Sequence, residues 1–128
     1  MLDLLHIENI AIIEQADIAF RPGFNALTGE TGAGKSIVID ALSAVLGQRA
    51  SRELIRTGAD HAFVSAVFSH IPEGLGEDLG VADAQEWLLQ REIYTDGKNV
   101  CRCNGRPMTV TQLRTLGSRL LNIHGQHD

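Results

Sequence analysis

The chain has 128 residues, 44% hydrophobic and 21% charged, enough for one domain with its own core and an ordinary balance for a globular protein. Eleven Lys and Arg against sixteen Asp and Glu leave a formal charge of -5, so there is no global basic footprint of the kind that holds nucleic acid unaided. Asp3, His6, Glu8 and Glu14 interrupt the apolar residues of the first fifteen, and neither a signal peptide nor a membrane span is expected there.

In chain order, Leu2 to Ile7 and Ala11 to Phe20 are strand-like, and Arg21-Pro22-Gly23 punctuates the chain before a short apolar strand, Phe24 to Leu27. Lys35 to Leu46 reads as a helix with almost no polar face, stopped by Gly47 and expected to be buried on more than one side. Its polar stripe is Ser36, Asp40 and Ser43. Gln48 to Asp60 reads as a loop with one helical turn, and His61 to His70 as a strand. Pro72 to Asp83 is a glycine-bearing connector. Asp96-Gly97 and Asn104-Gly105 then mark two tight turns of a β-meander with strands near 87–94, 99–103 and 106–110. Thr111 is placed to cap a helix through Leu113, Leu116 and Leu120. No linker or repeat divides the chain, so a single unit is expected.

One motif carries chemistry. Gly29-Glu30-Thr31-Gly32-Ala33-Gly34-Lys35-Ser36 satisfies G-x-x-x-x-G-K-[ST] in full, between a predicted strand and a predicted helix. The glycines let backbone N–H groups wrap a phosphate chain, and the helix aims its partially positive end at the same anion. Lys35 is expected to reach the β- and γ-phosphates of a nucleoside triphosphate, and the Ser36 hydroxyl to ligate Mg²⁺. Hydrolysis also needs an acid at the end of a second strand. Ile37-Val38-Ile39-Asp40 has the right letters but lies on the motif's own helix, so no such acid is found in this sequence.

Five segments resemble the start of the bacterial RecN family of DNA repair proteins, in the SMC-like branch of the ABC ATPases. They are Ile7 to Ile12, Phe24 to Ser36, Ile39 to Leu42, Arg56 to Ala59, and Ile123-His124-Gly125-Gln126-His127. The resemblance spans essentially the whole chain. It implies an α/β P-loop NTPase fold of the ABC/SMC head type, with a mixed β-sheet, the P-loop helix and an added β-meander. Residues 1–128 would form the N-terminal lobe of a head, ending before a coiled coil. It further implies ATP and Mg²⁺ as cofactors, and as partners a second ATPase head, the C-terminal half of the same head, and DNA, with no membrane. The implied role is recombinational repair of DNA double-strand breaks, in the cytoplasm at the nucleoid. Gln126 matches the Q-loop glutamine that contacts Mg²⁺, and Asn9 lies where such heads meet the base or ribose. A turn residue between two strands is the other reading of Asn9.

The family's signature motif, Walker B acids and switch histidine have no counterpart in this sequence, which resembles an N-terminal piece cut at the Q-loop. The resemblance thus implies ATPase activity for the complete protein and almost none for this segment alone. Two other functions stay open: a free-standing small-molecule P-loop kinase, and a non-catalytic module that pairs with an intact head.

The remaining candidates have ordinary readings. His124, His127 and Asp128 make a thin metal cluster. Arg49, Arg52, Arg56, Arg102 and Arg106 read as surface charge, Trp87 and Phe63 as core, and Cys101 and Cys103 as reduced thiols.

Overall fold

A computed structural model describes residues 1–20 and 32–124, with the side chains of residues 36–123 in the second span. The turn at 21–23, the strand expected at 24–27, residues 29–31 of the phosphate motif and residues 125–128 lie outside the described residues.

Among the described residues, six strands form one sheet: β1 (Leu2–Ile10), β2 (Ile13–Ala19), β3 (His61–Ser69), β4 (Glu86–Tyr94), β5 (Asn99–Cys103) and β6 (Arg106–Met108). They are ordered β2-β1-β3-β4-β5-β6, and every described pairing is antiparallel, where a mixed sheet was expected. The expected meander is β4–β5–β6. Its second turn fits the dipeptide preference, because Asn104 (φ 53°) and Gly105 (φ 83°) both take the left-handed backbone that a two-residue hairpin turn demands.

Strict alternation decides which face is buried. Along β3, Ala62, Val64, Ala66 and Phe68 point inward, and along β4, Trp87, Leu89, Arg91 and Ile93 do so. Two helices cover that face: α1 (Gly32–Val45) and α2 (Val110–His124). The core is Leu5, Ile7 and the β3–β4 row against Val38, Ala41 and Val45 of α1 and Leu113, Leu116 and Leu120 of α2. Each fully buried Val, Leu, Ile or Phe side chain among them contributes roughly 1.5–3 kcal/mol by leaving water.

Phe63 departs from its expected place. It is half-buried on the outer face of the sheet, edge-on to His6 with ring centroids 5.9 Å apart. Among the described residues, helix α1 is covered on its sheet-facing side, and Ile39 on the other side is 53% exposed. At the start of α2 the cap is Thr109, not Thr111. Its hydroxyl accepts the Gln112 N–H at 3.0 Å, while the Gln112 side-chain oxygen accepts the Thr109 N–H at 3.0 Å.

Candidate nucleotide site

Helix α1 starts at Gly32, inside the phosphate motif and three residues before the expected Lys35, so the second half of the motif is its first turn. That turn carries no acidic residue, and its partially positive end is left to an external anion. Ser36 and Asp40 are exposed and Ser43 is half-buried, which places the polar stripe on the side facing away from the sheet.

The β1–β2 turn converges on this helix. Asn9 (φ 57°) and Ala11 (φ 53°) both occupy the left-handed region, a strained conformation for residues other than glycine. The strain is held by pairing with the chain that follows α1. The Asn9 carbonyl accepts the Arg56 N–H at 2.8 Å, the Ala11 N–H donates to Leu54 at 2.8 Å, and Ile10 bridges Ile55.

Two clefts flank the turn. One, of about 410 Å³, is lined by Ala11, Asp40, Ser43, Arg49 and Ser51 among others. The second, of about 390 Å³, is lined by Asn9, Glu14, Arg56, Thr57, Gly58 and Ala59. Asn9 is thus both a turn residue and a cleft residue, and Arg49, itself exposed, and half-buried Arg56 line these clefts. The Arg56 Nε is buried without a hydrogen-bond partner among the described residues. Arg52 donates to the Thr95 carbonyl at 3.2 Å and Arg102 lies 3.8 Å from Glu92, which keeps both in structural roles.

The far end of α1 holds a residue that the sequence reading passed over. Arg91 points into the core from β4 and is only 3% exposed. One guanidinium nitrogen donates to the Ala44 carbonyl at 2.7 Å and the Gln48 carbonyl at 2.6 Å, and Nε donates to the Asn99 side-chain oxygen at 2.8 Å. Burial pulls its pKa down, yet an arginine stays cationic inside a protein. Gly47 (φ 88°) ends the helix as expected, its N–H on Ala44 and that of Gln48 on Ser43. Two signals were available: Arg91 is a cation in the inward register of an alternating strand, and α1 has no basic residue in its own last turn.

Other candidates stay outside the site. Cys101 and Cys103 are buried free thiols on β5, and burial pushes the Cys103 pKa up to about 11, leaving it unreactive. No group of three metal-ligating side chains occurs among the described residues; the side chains of His124, His127 and Asp128 and the whole of Gln126 lie outside them. No described helix is long and apolar enough to cross a membrane.

With this geometry in hand, the AAA domain family matches the chain over residues 4–99. The chain belongs to that family. It also matches proteins named DNA repair protein RecN along its whole length. The Bacillus subtilis protein is 45% identical over 133 residues, covering 100% of this chain and 23% of that protein. The Vibrio cholerae protein is 43% identical over 132 residues, covering 99% and 24% respectively. The chain therefore spans about a quarter of these relatives and corresponds to their N-terminal part.

Among solved structures, an SMC ATPase characterised for ATP-driven dimerization and DNA-stimulated activation superposes with a TM-score of 0.75 at 26% identity. The match covers 94% of this chain and 79% of that one. An Smc head domain of Pyrococcus furiosus, bound to the C-terminal domain of ScpA, gives a TM-score of 0.75 at 26% identity, covering 94% and 33%. The fold of this AAA-family chain is accordingly that of a P-loop ATPase head of the SMC type.

Proposed function

We propose that the chain binds ATP with Mg²⁺ through Gly29 to Ser36, as the N-terminal lobe, residues 1–128, of a RecN-like ATPase head. The observation that carries this reading is the complete phosphate-binding pattern at the N-terminus of α1, in a fold shared with SMC heads. A first helical turn without carboxylates suits a triphosphate, so the residues present fit the group. Backbone N–H groups of Gly29 to Gly34 would hold the phosphates, Lys35 would offset the β/γ charge, and Ser36 and Gln126 would hold the metal. Bound Mg²⁺ would supply charge stabilisation at the transferring phosphoryl group. Asn9, on its strained turn beside α1, would meet the base or ribose.

Hydrolysis belongs to the assembled head, completed by its C-terminal half and a second, ATP-engaged head. The relatives named DNA repair protein RecN support a role in DNA repair; the finer reading is recombinational repair of double-strand breaks, with DNA as the ultimate partner and the nucleoid as the place of action. The test is ATP-Mg²⁺ titration of the full-length protein against its Lys35→Ala variant. Removing one charge-assisted phosphate contact should weaken binding by about tenfold or more. Equal affinity in the two proteins would sink the reading.

A further inference from the structure

We propose that the C-terminal end of α1 is a two-arginine anchor, in which Arg91 and Arg114 act as positioning residues for the phosphate loop at the other end of the same helix. The proposal rests on the nucleotide reading above and adds residues that lie outside the phosphate motif.

Three observations carry it. First, α1 has no basic residue in its last turn, so the negative end of its dipole is left to cations from other elements, which add to the Gly47 and Gln48 N–H groups already on the Ala44 and Ser43 carbonyls. Arg91 of β4 supplies one, through the Ala44 and Gln48 carbonyls; Arg114 of α2 supplies the other, its Nε donating to the Gly47 carbonyl at 3.1 Å.

Second, the backbones meet here without room for a side chain. A Cβ on Gly47 would stand 2.3 Å from the Arg114 nitrogen, and one on Gly117 would stand 2.3 Å from the Leu46 carbonyl oxygen. The end of α1 is thereby held from the sheet side and from α2 at once.

Third, Arg91 is buried, and no described carboxylate forms an ion pair with it. A buried cation is a costly way to fill space, and a methionine or leucine would pack as well. Its donors, rather than its volume, account for its presence.

The mechanical link is the helix. Fourteen residues span about 21 Å and shorten little under load, so sliding or turning the C-terminal end displaces the first turn by a similar amount. Phosphate contacts are sensitive on that scale, since misplacement by about 1 Å can cost a hundredfold in a positioned site.

Arg91→Met retains bulk and removes the donors, and Arg114→Met does the same at the exposed position. Leu120→Ala, in the α2 core, lowers stability without touching either arginine. Full-length proteins would be titrated with ATP-Mg²⁺ at a temperature where each is almost wholly folded, so that global stability no longer enters the affinity. We expect Arg91→Met to bind about tenfold more weakly or worse, Arg114→Met to lose a smaller factor, and Leu120→Ala to stay within about twofold of the parent. If the parent binds and both arginine variants match it, the anchor is overturned.

Amide hydrogen exchange without nucleotide gives a second arm. Arg91→Met should accelerate exchange along residues 36–45 selectively, relative to β1 and β3. Should the parent itself fail to bind ATP-Mg²⁺, the nucleotide reading falls and this arm decides the anchor: uniform acceleration of helix and sheet overturns it. Should Arg91→Met fail to fold, Arg114→Met carries the test, and unchanged affinity there overturns the proposal.

Discussion

Replacing Gly117 by Ala sets two effects of opposite sign against each other. In a helix interior the change favours folding by about 1 kcal/mol, because glycine has more backbone freedom to lose. Against that, the new Cβ would sit 2.3 Å from the Leu46 carbonyl oxygen and 3.0 Å from the Leu46 carbonyl carbon and Cβ. Overpacking of this kind typically costs about 1–3 kcal/mol, and the upper part of that range applies where the obstacle is backbone. Leu46 cannot swing aside. It is 5% exposed, its N–H is bonded to Leu42 at 3.1 Å, and the next residue is the Gly47 that Arg114 holds. The clash wins, leaving a net destabilisation of about 1–2 kcal/mol and a melting temperature lower by roughly 3–10 °C in a domain this size. Thermal and urea unfolding would measure it, with Ser118→Ala, the exposed neighbour on the same helix, as the propensity control that should gain a few tenths of a kcal/mol. A Gly117→Ala protein that melts above its parent would refute the close approach of α1 and α2.

Two further outcomes follow from side-chain chemistry. His6 has Asp17 at 2.5 Å on Nδ1 and Glu8 at 2.6 Å on Nε2; burial lowers its pKa, but the bonds to Glu8 and Asp17 outweigh it and the net shift is upward. Both nitrogens donate only in the imidazolium, so this contribution is fully present below the unfolded-state pKa of about 6.5 and is lost as pH rises through the higher folded-state value. Unfolding curves of the parent and His6→Gln across that range should converge with rising pH, and a gap that widens would reverse the sign. At the start of α2, Thr109→Ala should cost about 0.5–2 kcal/mol of stability whereas Thr111→Ala should cost far less. Urea midpoints of the two variants distinguish them, and equal losses would return the cap to Thr111.

The local grammar of the chain was readable. Alternation marks β3, and the Asp96-Gly97 and Asn104-Gly105 turns mark the meander β4–β5–β6. Non-local pairing left no comparable trace. Nothing in Leu2 to Ile10 says that its neighbour across the sheet is His61 to Ser69, because period-2 alternation specifies a face and not a partner. Where a short turn joins consecutive strands, as in β1–β2 and β4–β5–β6, the turn dictates the pairing. The cap at Thr109 is legible as T-x-x-Q, Thr109 to Gln112, a pattern that Thr111, with Arg114 three residues on, lacks.

The site divides along the same line. The phosphate motif is contiguous, so eight residues declare it without reference to the rest of the fold. Asn9 and Arg56 are separated by almost fifty residues and share a cleft only because the Asn9 carbonyl and the Arg56 N–H pair across that distance. Arg91 is the sharper case. In the sequence it is one arginine between Gln90 and Glu92, which a surface strand would carry without consequence, and only the inward register set by Trp87, Leu89 and Ile93 turns it toward the core. Its function is then defined by what α1 lacks at its own end. A side chain whose role is to complete another element becomes legible when both halves of the contact are considered together, a buried cation on one element and a helix end without a basic residue of its own on the other.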